Sequence, residues 1–306
     1  MMNLLYLFEA IRTPILNMVG MGVTFFGSET FLLIVMGIVF WCVDKNLGYR
    51  LMFSYMIAGS VNNAMKIGFR VERPWVRDSS FEAVEEAKSG ATGYSFPSGH
   101  SSTVGVLGTT FLVGTESRLL KVLSVVFMVL VPVSRMYLGV HTVYDVCVGL
   151  GLAIIITLVV NKVMAGTSVD PRQISPIMFA MLLFPVALVI FALAMYYNGL
   201  ASYEDIADSI KSAGAFFGFI IGWYTERTKI DFNERCNRVW KHILKVLLGF
   251  ACVFAIKTGL KEVFSLIGDE FWPGDLIRYF LMTFFAVGIY PIFIKKVFSA
   301  RIYYRK

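Results

Sequence analysis

Long apolar runs separated by short polar stretches make up most of the chain, and each run is close in length to a bilayer crossing. They fall at about 28–43, 48–66, 100–115, 119–138, 142–161, 176–198, 212–225, 243–259 and 277–294. A hydrocarbon core of about 30 Å takes roughly 20 helical residues to cross. Inside lipid each segment must satisfy its own backbone polar groups, so runs of this kind read as helices. The pattern predicts an all-α fold, a polytopic membrane bundle of about nine transmembrane helices. Interruptions such as Asn62, Asn63, Pro132 and Pro185 are tolerable where neighbouring helices satisfy the freed groups. The shortest run, 212–225, carries Gly214, Gly218 and Gly222 at four-residue spacing, a face for close helix packing. The first 26 residues are broken by Glu9, Arg12 and Pro14 and lack a basic start. They read as an interfacial N-terminal helix and not as a cleavable signal. Three regions follow: an interfacial segment over 1–27, a helical core over 28–163, and additional transmembrane helices over 164–306.

Composition agrees with this pattern. Hydrophobic residues make up 57% of the 306 and charged residues 16%, with mean hydropathy +0.69. A soluble domain is about a quarter charged, so a soluble enzyme, a disordered tail and a fibrous protein are excluded. The 28 basic and 21 acidic residues leave a net +7. Laying the loops alternately on two sides places 17 of the 28 Lys and Arg on one side, which the positive-inside rule makes cytoplasmic. The C-terminus then lies inside, and topology accounts for the basic excess without nucleic acid. Cys42, Cys147, Cys236 and Cys252 form no CxxC pair and read as small core residues, with no disulfide and no metal site.

The longest polar segment runs from Arg70 to His100. Ser79-Ser80-Phe81-Glu82 within it reads as a capping box opening a short acidic helix.

Three segments carry residues that apolar spans should not contain, and alternation brings all three to the outer face. They are Lys66 to Arg73-Pro74, then Pro97-Ser98-Gly99-His100, then Ser134-Arg135 to His141 and Asp145. Lys66, Arg73 and Arg135 supply three cations, enough to neutralise a phosphoryl dianion and its developing charge. Ser98-Gly99-His100 precede a helix, whose free N–H groups and dipole favour an anion, and Gly99 permits close backbone approach. His141 and Asp145 stand four apart on one helix face. Asp145 can therefore accept from one imidazole nitrogen and leave the other as a nucleophile. His100 is then the natural general acid. His242, in a basic loop, reads as an ordinary interfacial histidine. Trp75 and Tyr137 flank the cations and are of types that favour the membrane interface.

The three segments resemble the tripartite pattern K-x6-RP, PSGH and SR-x5-H-x3-D of the type 2 phosphatidic acid phosphatase superfamily, with no departure at any position. The resemblance implies a six-helix phosphatase-like core and a metal-independent phosphatase working through a phosphohistidine on His141. Asp145 would orient it and His100 would protonate the leaving alcohol. Lys66, Arg73, Ser98, Gly99 and Arg135 would bind phosphate, and no cofactor is implied. The implied substrate is a lipid phosphate or pyrophosphate of the phosphatidate, phosphatidylglycerophosphate or polyprenyl diphosphate class. The implied location is the plasma membrane, with the site on the extracytoplasmic face and membrane lipids as its surroundings. The nine-span layout is also similar to that of glucose-6-phosphatase, so a sugar-phosphate phosphatase stands as the alternative. A transporter or scaffold that only binds anionic headgroups is a third reading, one that gives the His141–Asp145 pair nothing to do.

Overall fold

The computed structural model describes residues 2–165, 171–268 and 270–298, except the side chains of 171–175 and 177. Its helices are, in chain order, α1 (Met2–Ala10), α2 (Pro14–Phe25), α3 (Glu29–Ile38), α4 (Lys45–Phe69), α5 (Pro74–Arg77), α6 (Glu85–Lys88) and α7 (Gly99–Gly114). There follow α8 (Arg118–Tyr137), α9 (Val143–Ala165), α10 (Pro171–Tyr197), α11 (Tyr203–Thr225), α12 (Val239–Ser265), α13 (Trp272–Phe284) and α14 (Tyr290–Phe293). Among the described residues there is no strand.

Among the described residues, five helical stretches are long and apolar enough to cross a membrane: α8, α9, Met178–Tyr197 of α10, α12 and Trp272–Phe298. The pair Pro14–Phe25 and Glu29–Val43, bent by 41°, makes a sixth if it is one span. The protein is thus an integral membrane protein. Of the other expected runs, α4 is long enough but carries Lys45, Arg50, Asn62, Asn63 and Lys66. The 16 residues of α7 rise only about 24 Å, and every residue from Ser101 to Thr110 is buried. On α8, by contrast, Leu119, Val122, Val126, Val129 and Val133 form an exposed apolar stripe at helical spacing.

Two expectations are corrected at the N-terminal side. The first 26 residues form two helices, because Thr13 caps α2 by accepting from Leu16 N while Pro14 takes its first position. The acidic helix opens at Glu85, with Val84 and not Ser79 before it and no side-chain cap. Ser80 is occupied elsewhere: its hydroxyl donates to Asp78 Oδ1 (2.7 Å) and meets Tyr6 Oη (2.7 Å).

The chain divides into two compact units. The first comprises Met1–Ile34, Arg50–Met164 and Asn198–Asp205. In it α7 packs against α8 and α9; a Cβ at Gly105 would lie 2.9 Å from Ala153 Cβ, so glycine sets the approach of α7 to α9. The second comprises Val35–Tyr49, Ala165–Tyr197 and Ile206–Lys306. There the expected glycine face of α11 is seen at work, since Cβ atoms at Gly214 and Gly218 would collide with the carbonyls of Leu276 and Phe280. Its buried cations are paired: Lys45 Nζ donates to Glu226 Oε1 (3.2 Å) and Phe232 O (2.8 Å), and Lys245 Nζ to Trp41 O (2.7 Å) and Glu234 O (2.6 Å).

Candidate active site

All the candidate residues lie in the first unit, and local backbone rules explain how each is presented. Pro74 holds Arg73 in extended conformation (φ −67°, ψ 153°), so that it caps α5. From there the guanidinium reaches three carbonyls: Nε donates to Gly93 O (3.0 Å), Nη2 to Thr92 O (2.8 Å) and Nη1 to Val140 O (3.0 Å). Arg73 is buried, and burial pushes it down to about 10, opposed by the charge of Asp145. Its Nη1 also lies 3.0 Å from His141 Nε2.

The end of α8 follows from a glycine. Gly139 is left-handed (φ +78°), its N–H bonds to Met136 O (3.0 Å) and Val140 N–H to Arg135 O (3.1 Å). These two bonds make a Schellman stop, in which Arg135 is the third residue from the end. The spacing from Arg135 to His141 is therefore the length of one helix terminus plus one residue.

His141 is buried between Arg73 and Asp145. Its Nδ1 lies 3.7 Å from Asp145 Oδ2, a charge contact longer than a hydrogen bond, and 3.5 Å from Ser95 Oγ. Arg73 Nη1 is 3.5 Å from Nδ1 and 3.0 Å from Nε2, and a guanidinium only donates, so the shorter contact assigns Nε2 as the acceptor and Nδ1 as the protonated nitrogen. Burial and the charges of Arg73 and Arg135 hold His141 below its ordinary value, with Asp145 opposing. The neutral imidazole thus keeps its lone pair on Nε2, toward Arg73.

Asp145 is fixed twice over. Its Oδ2 accepts from Ser95 Oγ (2.6 Å) and Thr142 N (2.7 Å), and its main-chain carbonyl accepts from Ser98 N (2.9 Å). That last bond brings the start of α7 onto α9, where a Cβ at Gly149 would lie 3.2 Å from Ser98 N. Ser98 caps α7, with Oγ accepting from Ser101 N (3.4 Å) and Ser101 Oγ (3.1 Å), so its own hydroxyl proton remains to donate. A Cβ at Gly99 would meet nothing within 4 Å, which leaves the first turn of α7 unobstructed. His100 is the second residue of that turn, half-buried, and the charges of Arg135, Lys66 and Arg73 all reach it. Arg135 is buried and its Nη1 donates to Thr24 Oγ1 (3.1 Å). Lys66 stands in the last turn of α4. Among the described residues no three His, Cys, Asp or Glu side chains form a metal-holding group.

Three contributors escaped the sequence reading. Ser95 is fully buried and bonded through its N–H to Val71 O (2.7 Å), which ties it to the segment bearing Arg73. Gly149, four residues after Asp145, was legible only as a small residue in an apolar helix. Thr24 lies far from the motifs in sequence. One expectation is corrected: Tyr137 is no interface residue. It is 9% exposed in a cluster with Phe81 and Leu138, its hydroxyl donates to Asn17 Oδ1 (3.0 Å), and Trp75 packs against the same cluster.

Residues 47–167 match the PAP2 superfamily, and residues 210–301 match the transmembrane extension of PAP2 superfamily phosphatases. Phosphatidylglycerophosphatase B of Bacillus subtilis (strain 168) is 30% identical over 163 residues, which are 49% of this chain and 76% of that protein. The chain belongs to the PAP2 superfamily. Sphingosine-1-phosphate phosphatase 2 of Homo sapiens is 30% identical over 208 residues, 65% of this chain. This PAP2 protein spans about half that relative's length, 49% of it. Among solved structures, a transmembrane PAP2-type phosphatidylglycerolphosphate phosphatase from Bacillus subtilis matches at 27% identity and TM-score 0.46, over 54% of this chain and 85% of that one. The stretch from Lys66 to Asp145 falls inside the matched PAP2 residues, whereas Thr24 and Arg12 precede them.

Proposed function

We propose that this protein is a membrane phosphatase that hydrolyses a phosphomonoester or pyrophosphate of a lipid, through a phosphohistidine on His141 and without a metal. One observation carries the reading: His141 turns Nδ1 to a braced Asp145 and Nε2 toward the Arg73 guanidinium, 3.0 Å away. Anion binding alone needs the cations and gives no use to an oriented, unprotonated imidazole.

In this reading Lys66, Arg73, Arg135, the Ser98 hydroxyl and the N–H groups from Gly99 onward hold the phosphoryl oxygens. His141 Nε2 attacks phosphorus as the bond to the leaving oxygen breaks. His100, made imidazolium by the neighbouring dianion, gives that oxygen its proton. Neutral His100 then takes a proton from water, whose oxygen attacks phosphorus and breaks the N–P bond, releasing phosphate and restoring His141. Asp145 stabilises the charge on the imidazole throughout. The three cations do the work a metal would do, neutralising charge on the transferred group.

The helical core over 28–163 holds this site, on the extracytoplasmic face of the plasma membrane by the distribution of Lys and Arg, within a nine-span chain whose C-terminus is inside. Two relatives are named for lipid phosphates, sphingosine-1-phosphate and phosphatidylglycerophosphate. A lipid also gains about 0.8 kcal/mol per buried methylene that a sugar cannot. The test is phosphate release by the purified full chain in micelles, with EDTA, against lipid phosphates of increasing chain length and glucose 6-phosphate. Efficiency that rises with chain length supports the reading. Equal or better turnover of glucose 6-phosphate rejects the lipid substrate, and loss of activity in EDTA restored by Mg²⁺ or Zn²⁺ rejects the metal-free mechanism.

A further inference from the structure

The residues that hold the phosphate-site cations in place are not all inside the PAP2-matched region. Helix α2 precedes it and lies against α8, reaching its C-terminal end. One face of α2, continued through the following turn, presents Asn17, Gly20, Thr24 and Gly27, spaced three and four apart. Asn17 Oδ1 accepts from Tyr137 Oη (3.0 Å). Gly20 lies under Tyr137 and Leu138, which a Cβ would approach to 3.3 Å. Thr24 Oγ1 accepts from Arg135 Nη1 (3.1 Å). A Cβ at Gly27 would lie 2.9 Å from His100 O. The whole face is fitted to the end of α8 that carries Arg135 and to the start of α7 that carries His100.

Thr24 is the member of that face bonded to a side chain of the site. It is 6% exposed and Arg135 3%, so the bond is made out of water, where its loss is not replaced by solvent. The guanidinium Nε of Arg135 is buried with no hydrogen-bond partner, so Thr24 fixes one edge of the group while the other remains uncommitted to protein. A planar fork presents phosphate with the correct pair of N–H groups only when its rotation is set.

We propose that Thr24 is a positioning residue: by accepting from Arg135 it sets the orientation in which that guanidinium meets the phosphoryl group. The proposal rests on the phosphatase reading above and adds to it a residue from outside the PAP2 match.

Thr24→Val keeps the shape and removes the acceptor, whereas Thr24→Ser keeps the acceptor. The assays are turnover of a lipid phosphate, and binding of orthovanadate and inorganic phosphate to the full chain in micelles. Losing a buried hydrogen bond to a charged group corresponds to about a ten- to hundred-fold loss of kcat/KM and of vanadate affinity. Thr24→Ser should stay within about three-fold of wild type, as the retained bond requires. In an Arg135→Lys background, Thr24→Val should have little further effect, because a residue acting through Arg135 has nothing left to orient. Equal losses in the Val and Ser variants, or an undiminished Thr24→Val effect in that background, would overturn the proposal. A wild type that binds phosphate without releasing any rejects the catalytic reading alone. Phosphate affinity then decides for Thr24: weaker in Thr24→Val upholds it, and unchanged overturns it. A wild type with neither turnover nor phosphate binding overturns both.

Discussion

Replacing Ser95 by alanine deletes one oxygen, yet that oxygen sits between a carboxylate and the imidazole it faces. Ser95 Oγ donates to Asp145 Oδ2 at 2.6 Å, a charge-assisted distance, and lies 3.5 Å from His141 Nδ1. The carboxylate keeps its second donor, Thr142 N at 2.7 Å, so it is weakened and not stranded. A hydrogen bond to a charged group contributes about 1.5–3 kcal/mol. If that energy serves mainly to hold Asp145 against His141 as its charge develops, kcat should fall about ten- to hundred-fold with little change in KM. Rapid-mixing measurement of phosphoenzyme formation at saturating substrate isolates the step, since in the proposed mechanism only attack by His141 separates bound substrate from phosphoenzyme. Ser95→Thr retains a hydroxyl and should recover part of the rate if the γ-methyl is accommodated. The reasoning fails if Ser95→Ala forms phosphoenzyme at the wild-type rate, or if the loss appears in KM alone.

Arg73→Lys preserves charge but cannot satisfy the carbonyls of Thr92, Gly93 and Val140 together, so it should lower both thermal stability and kcat/KM; a silent substitution would refute the carbonyl-bridging role. His141→Ala should abolish turnover on every substrate, while His100→Ala should regain activity on a nitrophenyl phosphate, whose leaving group needs little protonation. Phosphoenzyme trapped in His141→Ala would identify a different nucleophile. Because His141 is held below its ordinary 6.5, it stays unprotonated as pH falls through that value. The acid limb of kcat/KM, followed with an aryl phosphate of acidic second ionisation, should therefore lie below pH 6.5; a limb at or above it would contradict the sign.

What the sequence disclosed about the site was its charged and nucleophilic side chains, because such groups are rare in apolar runs and their spacing follows helix periodicity. The contact of Arg73 with His141 and the approach of Ser98 to Asp145 both join residues the motifs had already singled out. What stayed hidden was the support. Ser95 and Thr24 are neutral hydroxyl residues, and nothing in a linear pattern distinguishes a hydroxyl that orients an ion from one that caps a turn. Tyr137 was misread for a related reason: a tyrosine near a helix end suits the interface and a core with a polar neighbour equally, and only Asn17, 120 residues away, decides between them. The polar interior of α4 and the short α7, buried from Ser101 to Thr110, show the same limit, because helices enclosed by other helices need not look like lipid-facing ones.

On the proposed reading, the bonds from Arg73 to Thr92, Gly93 and Val140 hold that cation in place before any substrate arrives. A cation fixed in advance favours the transition state, although the contact between Arg73 Nη1 and His141 Nε2 must give way to the phosphoryl group. The same would apply to the free phosphate left at the end of a cycle, which would meet the same cations. Grip on phosphate alone therefore gives no direction to the cycle. Direction has to come from the organic half of the substrate, which departs at the first step, and from dilution of phosphate into the aqueous phase. If the proposed phosphatase reading holds, inorganic phosphate should compete with substrate, and turnover should fall as the phosphate concentration facing the site rises.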